Sequence, residues 1–210
     1  MSNNRLYIGA TGLIGQCFLD ENARKNSNLS ILARRQPESR PKLEQWHCAA
    51  DLRVIAAEAL AGIHTVFCSL GTTRANAGSK AAFAAIDREL TLDLAHAAKA
   101  AGVQHWIQVS ALGANPRSVV YYNRIKGEVD SALAGLGFER VDILHPSLLL
   151  GPRQERRPAE ALSQRLMPLL HPLLQGPLRP YRATPAMAVA QKMLSLEGSS
   201  EPGVFHHDFR

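Results

Sequence analysis

The sequence predicts an α/β protein with a doubly wound parallel sheet and a small C-terminal cap. Short apolar runs alternate with longer helical patterns, three of the four main helical patterns end at a glycine, and a glycine-rich turn directly follows the first apolar run. Glycine is favoured at such helix ends because the chain leaves the helix in a left-handed turn. The alternation predicts parallel strands with helices on both faces of the sheet.

The element boundaries follow from the same patterns. The predicted strands are 5–8, 29–33, 46–50, 64–70, 105–109 and 140–144, and the predicted helices are 13–25, 52–61, 79–101 and 121–136. We assign residues 1–146 to the core of the fold and residues 147–210 to a cap region packed on the same domain. Prolines in this second region predict short helices at 158–166 and at 185–196, the latter with Thr184 as N-cap. We expect a final short strand at 204–205, followed by a solvated tail.

Composition places the chain among globular proteins. Its 210 residues are 46% apolar and 20% charged, which excludes a disordered or fibrous chain. No segment is long and apolar enough to cross a bilayer, so we expect no membrane contact. The N-terminus shows no secretory leader. Cys17, Cys48 and Cys68 form no CxxC pair and are odd in number, so we expect free thiols and a cytoplasmic location.

The net charge of +6 raises the question of nucleic acid. The basic residues are scattered from Arg5 to Arg210, without a run of five like charges or interleaved aromatic rings, so nucleic acid is an unlikely partner. A phosphate-bearing small molecule accounts for the adjacent Arg34 and Arg35 with less surface. We predict no metal site, since the histidines and cysteines lack ligand spacing.

A GxxGxxG motif follows the first predicted strand and opens the first predicted helix. Gly9 permits a tight turn, Gly12 lets the backbone approach a pyrophosphate, and Gly15 allows close packing of helix on strand. The pyrophosphate would lie at the positive end of the helix. A glycine-rich turn without a ligand is the alternative. The residues of this loop expected to bind the cofactor are Gly9, Thr11, Gly12, Leu13, Ile14 and Gly15.

The end of the second predicted strand indicates which dinucleotide binds. A carboxylate there would hold the ribose hydroxyls of NAD, but the sequence has Arg34 and Arg35. Guanidinium groups suit a 2′-phosphate, so NADP(H) is the preferred cofactor, with NAD(H) as the alternative. A solvated turn would also explain the pair. Asp51, followed by Leu52, is a candidate acceptor for the adenine amino group, although an N-cap of the next helix explains Asp51 equally well.

A second motif carries the chemistry. Tyr122 and Lys126 form YxxxK, which on a helix places the phenol and the ammonium on one face. A neighbouring ammonium stabilises a phenolate, and this makes Tyr122 a candidate acid–base catalyst. Ser110 ends the fifth predicted strand, so its hydroxyl is expected at the same edge of the sheet.

These motifs resemble the short-chain dehydrogenase/reductase superfamily. The strings at 69–74, 122–128 and 149–155 look more narrowly like its atypical branch, which contains the Tat-interacting tumour-suppressor oxidoreductase and bacterial relatives. The resemblance implies a Rossmann-type fold, NADPH binding, and catalytic roles for the three residues Ser110, Tyr122 and Lys126. It further implies that the cofactor lies beside Gly71, Thr72, Pro146, Ser147 and Leu148. The sequence departs from the pattern at His145, where many relatives have arginine, and no asparagine is clearly placed for a fourth catalytic position.

The predicted function is that of an NADPH-dependent oxidoreductase acting on a small carbonyl compound or its alcohol. In the reductive direction, Ser110 holds the carbonyl oxygen, Tyr122 donates the proton, and Lys126 holds the nicotinamide ribose. The alternative is an NADPH-binding regulatory or assembly protein with little or no turnover. A homodimer or another protein partner stays open, because the predicted helix 79–101 is apolar beyond its core-facing stripe.

Overall fold

A seven-stranded, fully parallel sheet organises the part of the chain that the computed structural model describes, residues 4–25, 28–36, 44–151 and 183–209. The strands lie in the order β3-β2-β1-β4-β5-β6-β9, and β7 and β8 form a separate pair. The strands are β1 Arg5–Ile8, β2 Leu29–Ala33, β3 Glu44–Cys48, β4 Thr65–Cys68, β5 His105–Val109, β6 Arg140–His145, β7 Leu149–Leu150, β8 Thr184–Pro185 and β9 Gly203–Asp208.

Helices cover both faces of the sheet, which confirms the predicted doubly wound fold. They are α1 Leu13–Arg24, α2 Ala56–Ala59, α3 Arg74–Ala77, α4 Lys80–Ala84, α5 Thr91–Ala100, α6 Tyr121–Gly135 and α7 Ala186–Leu196. Side chains alternate between the faces along each strand. Leu6 therefore packs in the cluster that includes residues of α5 and α6, and Tyr7 packs in the cluster that includes residues of α1 and α7. Among the described helices, none has the length and apolar character needed to cross a membrane.

Register brings the strand ends to one edge. Ile8 of β1 lies opposite Leu32 of β2 and Cys68 of β4, and Val109 of β5 lies opposite Leu144 of β6. The loops that follow these strands therefore meet at the carboxyl edge. In open parallel sheets this edge is where ligands bind.

Several predicted elements differ in detail from the structure, and β4, for example, is three residues shorter than the strand predicted at 64–70. Strand β3 begins two residues earlier than predicted, and the predicted helix at 52–61 begins as a 3₁₀ turn, Leu52–Ile55, before α2. The predicted helix at 79–101 is continuous from Lys80 to Ala100, but its middle, Ala85–Leu90, is π-helical. Such widened turns recur at functional sites. This one carries Asp87, a carboxylate that is almost completely buried.

The end of the chain completes the sandwich. Helix α7 packs against α1, and β9 pairs with β6 over six residues, so the predicted strand at 204–205 is confirmed and extends through Asp208. The prediction of a solvated tail from His206 onward was wrong, because these residues belong to the edge strand. Helix α7 packs on one face of the sheet and β9 forms its edge, and the division into a core at 1–146 and a cap at 147–210 stays a prediction. The other residues of the expected cap include 152–182, with the predicted helix at 158–166, and this segment lies outside the described residues.

The prediction that Thr184 caps the last helix was also wrong. Thr184 pairs with Leu149 in the β7–β8 ladder, and Pro185 occupies the N-cap position. The Thr184 hydroxyl instead bonds to Ser147. The partner of the Thr184 side chain is therefore a distant loop and not the first turn of the helix that follows it.

A buried carboxylate on β6 joins the three strands β5, β6 and β9 at one side of the sheet. Asp142 of β6 accepts hydrogen bonds from Arg140 and binds His105 of β5 and His207 of β9, at 2.7–3.0 Å. Burial alone would raise the pKa of Asp142, but these three partners outweigh it and hold the pKa well below its usual range. Strand β9 is therefore held by side-chain contacts as well as by its backbone ladder.

Candidate functional site

Two glycines of the motif after β1 are required by packing within the protein. Gly9 has φ +95°, and a Cβ there would lie 2.8 Å from the backbone of Ser69 and Leu70. A Cβ on Gly15 would lie 2.5 Å from the carbonyl oxygen of Gly9. Neither position accepts a side chain without movement of the backbone. The first helix is thus pressed against the end of β1, as the motif predicts.

Gly12 is different, because a Cβ there would meet only the Gly9 carbonyl, at the ordinary distance of 3.4 Å. Its space is open, and both Thr11 and Gly12 are exposed. Gly12 is the N-cap of α1 without a side-chain cap, and the first turn of the helix carries no acidic residue. Leu13 is half-buried beside Gly151, and Ile14 is buried in the core. A pyrophosphate fits this cradle of exposed backbone at a helix N-terminus.

The residues expected around the adenosine end lie at the same edge. Arg34 and Arg35 directly follow β2 and are exposed. Asp51 caps the 3₁₀ turn through a bond from the Arg53 backbone N–H, so the capping role considered for Asp51 is present. The Leu52 side chain is buried in the core, which leaves only its backbone for a ligand.

A buried ion pair lies below the YxxxK helix. Lys126 Nζ is 2.7 Å from Asp87 Oδ1, and both side chains are almost fully buried. Burial would lower the pKa of Lys126, but the Asp87 carboxylate outweighs it, with help from Tyr122, and the net pKa is raised. The ammonium is therefore firmly protonated, but part of its charge is already neutralised by Asp87.

The pair also fixes the loop after β4. The second Asp87 oxygen accepts a hydrogen bond from the Thr72 backbone N–H at 2.7 Å. A Cβ on Gly71 would lie 3.1–3.2 Å from both members of the ion pair, so the backbone passes directly over them. Gly71 is exposed, as expected for a residue beside a cofactor, whereas the Thr72 amide is already engaged by Asp87.

Tyr122 lies at the surface of this region. Its side chain is 39% exposed, and its ring is 5.7 Å from that of Phe83. A hollow of about 220 Å³ opens beside it, lined by Phe83, Val120, Tyr121 and Tyr122. The neighbouring Tyr121 donates its hydroxyl to the Lys80 carbonyl, so the two adjacent phenols have different surroundings. The structure thus brings Tyr122, Lys126 and Gly71 together.

Gly127 allows the loop before α6 to cross the helix. A Cβ on Gly127 would lie 2.3–2.4 Å from the backbone of Asn115 and Pro116. The Asn115 N–H also donates to the Asn123 carbonyl, which anchors the loop to the first turn of α6. The loop between Ser110 and Tyr122 is therefore held against α6 at Gly127 and Asn123.

Ser110 has an environment that its expected role does not predict. It is buried, and its hydroxyl donates to Asp130 Oδ2 at 2.8 Å. The same oxygen is 3.0 Å from His145 Nε2, while Asp130 Oδ1 is buried without a hydrogen-bond partner in the described chain. The serine proton thus points to a carboxylate, whereas holding a carbonyl oxygen requires the proton to point into the site.

The segment after β6 is held in place by β8. The Ser147 amide N–H donates to the Thr184 hydroxyl oxygen at 3.2 Å, and the hydroxyls of the two residues are 2.9 Å apart. The Leu148 carbonyl accepts from the Thr184 N–H. The Pro146 carbonyl accepts from the Leu112 N–H, which joins this segment to the loop after Ser110. Pro146, Ser147 and Leu148 are therefore held at the carboxyl edge, with several polar groups already used inside the protein.

Sequence reasoning missed Asp87 and Asp130 as members of this region, and it noted His145 only as a departure from the family pattern, without a role. A signal for Asp87 existed, since a carboxylate in an alanine- and leucine-rich helix requires a buried cation when it faces the core. The described residues hold no group of three or more histidine, cysteine or acidic side chains placed to bind a metal ion.

Comparison with known proteins agrees with this geometry. Residues 9–133 match a family model described as NAD(P)H-binding. The FMP52 protein of Emericella nidulans, named as mitochondrial, is 36% identical over 170 residues, which cover 77% of this chain and 73% of the relative. The HTATIP2 protein of Rattus norvegicus is 34% identical over 172 residues, which cover 79% of this chain and 71% of the relative.

Solved structures show the same fold. The structure of MoeE5 in complex with UDP-glucose and NAD has a TM-score of 0.75 at 18% identity, covering 97% of this chain and 75% of that one. A short-chain dehydrogenase family protein from Francisella tularensis has a TM-score of 0.65 at 13% identity, covering 98% and 97%.

The relatives correct one expectation. Four of them, at 34–38% identity, are FMP52 proteins named as mitochondrial, which contradicts the cytoplasmic location expected for this chain. That expectation rested on free cysteines, and thiols report on redox conditions rather than on a particular compartment.

The family and the fold now rest on independent findings. The cradle at Gly12, the parallel sheet and the matched relatives agree on a domain that binds a nicotinamide dinucleotide, and the matched family is of the oxidoreductase type. The chain belongs to the NAD(P)H-binding family of atypical short-chain dehydrogenase/reductases.

Proposed function

We propose that the protein is an NADPH-dependent oxidoreductase that reduces a small carbonyl compound or oxidises the corresponding alcohol. The observation that carries this proposal is the buried Asp87–Lys126 pair beneath the exposed Tyr122. A buried lysine that is held protonated beside a phenol serves acid–base chemistry at that phenol. Packing alone would be satisfied by apolar side chains at both positions.

The cofactor would lie along the carboxyl edge of the sheet. The open cradle at Gly12 would hold the pyrophosphate, and Arg34 and Arg35 would bind the 2′-phosphate of the adenosine ribose. Gly71 and the segment Pro146, Ser147 and Leu148 would flank the nicotinamide end. When bound, the nicotinamide supplies the hydride.

The protein's own residues would handle the proton. Tyr122 would donate it to the carbonyl oxygen, and Lys126 would stabilise the phenolate that remains and bind the nicotinamide ribose. Because Asp87 already neutralises part of the lysine charge, this stabilisation is smaller than a free ammonium would give. The apolar hollow beside Tyr122 favours a small, uncharged substrate.

A second candidate function is a regulatory protein whose contacts with a partner depend on NADPH. One observation favours it: the Ser110 hydroxyl donates to Asp130, so it is not oriented toward a substrate carbonyl. Tight NADPH binding without oxidation in the presence of any small carbonyl compound would support this candidate.

Replacing Asp87 with asparagine tests the ion pair. The amide keeps an acceptor for Thr72 but leaves the buried ammonium unpaired, so the free energy of unfolding at pH 7 should fall by about 3 kcal/mol. In the wild type the pKa of Lys126 is raised, so the pair stabilises below the ordinary lysine pKa and the effect is lost as pH rises through the raised value. In Asp87→Asn, burial alone lowers that pKa, and stability should rise from pH 7 toward about 10.

Urea unfolding at several pH values measures both effects. Glu89→Gln, an exposed carboxylate two residues away that pairs with Arg88, is the matched control and should stay close to the wild type. An Asp87→Asn protein with wild-type stability and pH dependence would show that the pair carries no such energy.

Cofactor choice is tested at the end of β2. The wild type should bind NADPH at least about tenfold more tightly than NADH, a difference of about 1.4 kcal/mol. Replacing both Arg34 and Arg35 with alanine should remove most of this preference and leave NADH binding nearly unchanged, because only the 2′-phosphate contact is lost. Arg24→Ala, near the far end of α1, is the control. Equal wild-type affinities in calorimetry would refute the assignment.

The acid role is tested with adjacent tyrosines. Tyr122→Phe keeps the ring and removes the hydroxyl, so NADPH affinity should barely change while turnover falls by about 10²–10⁴-fold. Tyr121 also lines the hollow, but Tyr121→Phe keeps the ring there and loses only the bond to the Lys80 carbonyl, so its turnover should fall far less than that of Tyr122→Phe. Single-turnover NADPH oxidation at saturating cofactor decides between them. Wild-type rates in Tyr122→Phe would exclude Tyr122 as the acid.

A further inference from the structure

We propose that Asp130 and His145 conduct protons between solvent at β9 and Ser110 in the site, a path called the relay below. The proposal rests on the oxidoreductase function proposed above. Reduction consumes a proton at Tyr122, and a bound cofactor and substrate would cover that phenol from solvent. Proton exchange in the closed complex therefore needs a path from behind the site.

The geometry of the relay is continuous. Ser110 lies at the end of β5, Asp130 on α6 and His145 at the end of β6. Ser110 Oγ is 2.8 Å and His145 Nε2 is 3.0 Å from the same oxygen, Asp130 Oδ2. Both distances are within hydrogen-bond range, so a proton has one carboxylate oxygen to cross between the imidazole and the hydroxyl.

The outer end of the relay reaches titratable groups on β9. The His145 ring stacks on that of the exposed His206 with centroids 5.3 Å apart and planes 8° apart. His145 Nδ1 is 3.9 Å from Asp208 Oδ1, and the Asp208 side chain is 48% exposed. The titratable groups facing His145 are thus Asp130 from α6 and His206 and Asp208 from β9.

The second oxygen of the Asp130 carboxylate has surroundings that packing does not explain. Asp130 is buried, and its Oδ1 has no hydrogen-bond partner within the described chain. A buried polar atom without a partner is uncommon and costs stability. A carboxyl group that takes up and releases a proton in each turnover gives this arrangement a purpose.

Within the described residues, Lys126 has no comparable hydrogen-bonded path by which a proton could reach solvent. Its ammonium is buried against Asp87, and the other Asp87 oxygen is bound to the Thr72 amide. The raised pKa of Lys126 means that this proton is held tightly. Lys126 is therefore suited to stabilising the Tyr122 phenolate electrostatically, and the relay is suited to supplying the proton that Tyr122 donates.

The transfer balances as three linked moves. A proton from solvent forms an N–H bond at His145 Nδ1 as the Nε2–H bond breaks and an O–H bond forms at Asp130 Oδ2. The Ser110 hydroxyl, which donates to Oδ2 at rest, then turns away, and its own proton passes to the Tyr122 phenolate as Ser110 Oγ takes the proton from Oδ2. One proton enters at His145 and one reaches Tyr122, without a change in oxidation state. The imidazole then carries its proton at Nδ1, and a ring flip restores the starting Nε2–H form.

The arrangement differs from a hydrolytic triad. There the imidazole binds the serine and removes its proton, and a carboxylate orients the imidazole. In this protein the carboxylate lies between Ser110 and His145. His145 therefore does not deprotonate Ser110 directly, and the serine–imidazole contact of a hydrolytic triad is missing.

Chemical rescue tests the relay. The probe is the compound, from a panel of small aldehydes and ketones, with which the wild type oxidises NADPH fastest. His145→Ala should lower kcat by about tenfold or more and change the pH profile of kcat. Added imidazole should restore most of the lost rate. Added 1-methylimidazole fills the same space but cannot pass a proton from one nitrogen to the other, so it should restore little.

Two further variants complete the test. Asp130→Asn breaks the relay between His145 and Ser110. The kcat of this variant should therefore fall about as far as that of His145→Ala, and added imidazole should not restore it. His96→Gln, an exposed histidine on α5, should keep the wild-type kcat and pH profile. If Asp130→Asn fails to fold, as its melting temperature would reveal, the His145→Ala rescue alone decides.

Three results would overturn the proposal. A wild-type kcat and pH profile in His145→Ala would remove the relay while leaving the oxidoreductase function intact. Equal rescue by both imidazoles would assign His145 a packing role. A wild type that binds NADPH but oxidises it with no compound of the panel would overturn the proposed function, and the relay with it.

Discussion

The ion pair between Asp87 and Lys126 is the interaction on which the arrangement of the site depends. It joins the π-helical turn, α6 and the loop after β4, because Asp87 also binds the Thr72 amide. Two charges in a dry interior require each other, so neither residue can be replaced alone without a large loss of stability. The pair therefore fixes where Gly71 passes, and it keeps a protonated lysine beneath Tyr122. Because Asp87 neutralises part of the charge of Lys126, the lysine stabilises a Tyr122 phenolate less than an unpaired ammonium would.

Sequence reasoning predicted those features that depend on neighbouring residues. The GxxGxxG turn, the strand before it and the helix after it lie within one short segment, and glycine sterics dictate their geometry. The spacing of Tyr122 and Lys126 on one helix face is similarly local. Asp87 and Asp130 were missed, and His145 was noted without a role, because their partners lie on other elements. The strand–helix pattern predicts which elements pack together, but it does not predict which polar side chains meet between them.

Two predictions were wrong because a side chain forms a hydrogen bond to a residue that is distant in the sequence. Thr184 precedes a helix, which makes it a good N-cap candidate, yet its hydroxyl stabilises Ser147 across the β7–β8 pair. The residues from His206 to Asp208 looked like a polar tail, but His207 binds Asp142 and the segment forms the edge strand. In both cases a polar side chain has a partner that only the tertiary fold provides. The same edge strand brings His206 and Asp208 beside His145, so the fold links the far end of the chain to the region around Ser110.

The central claim of this account is that the site transfers hydride between NADPH and a small carbonyl compound. The most direct measurement uses NADPH carrying deuterium at both positions on C4 of the nicotinamide, incubated with the protein and a panel of small aldehydes and ketones. Mass spectrometry of the products should find an alcohol with one deuterium on the former carbonyl carbon. Tight binding of the labelled cofactor without deuterium in any product would contradict the claim and leave a dinucleotide-binding regulatory protein as the better account.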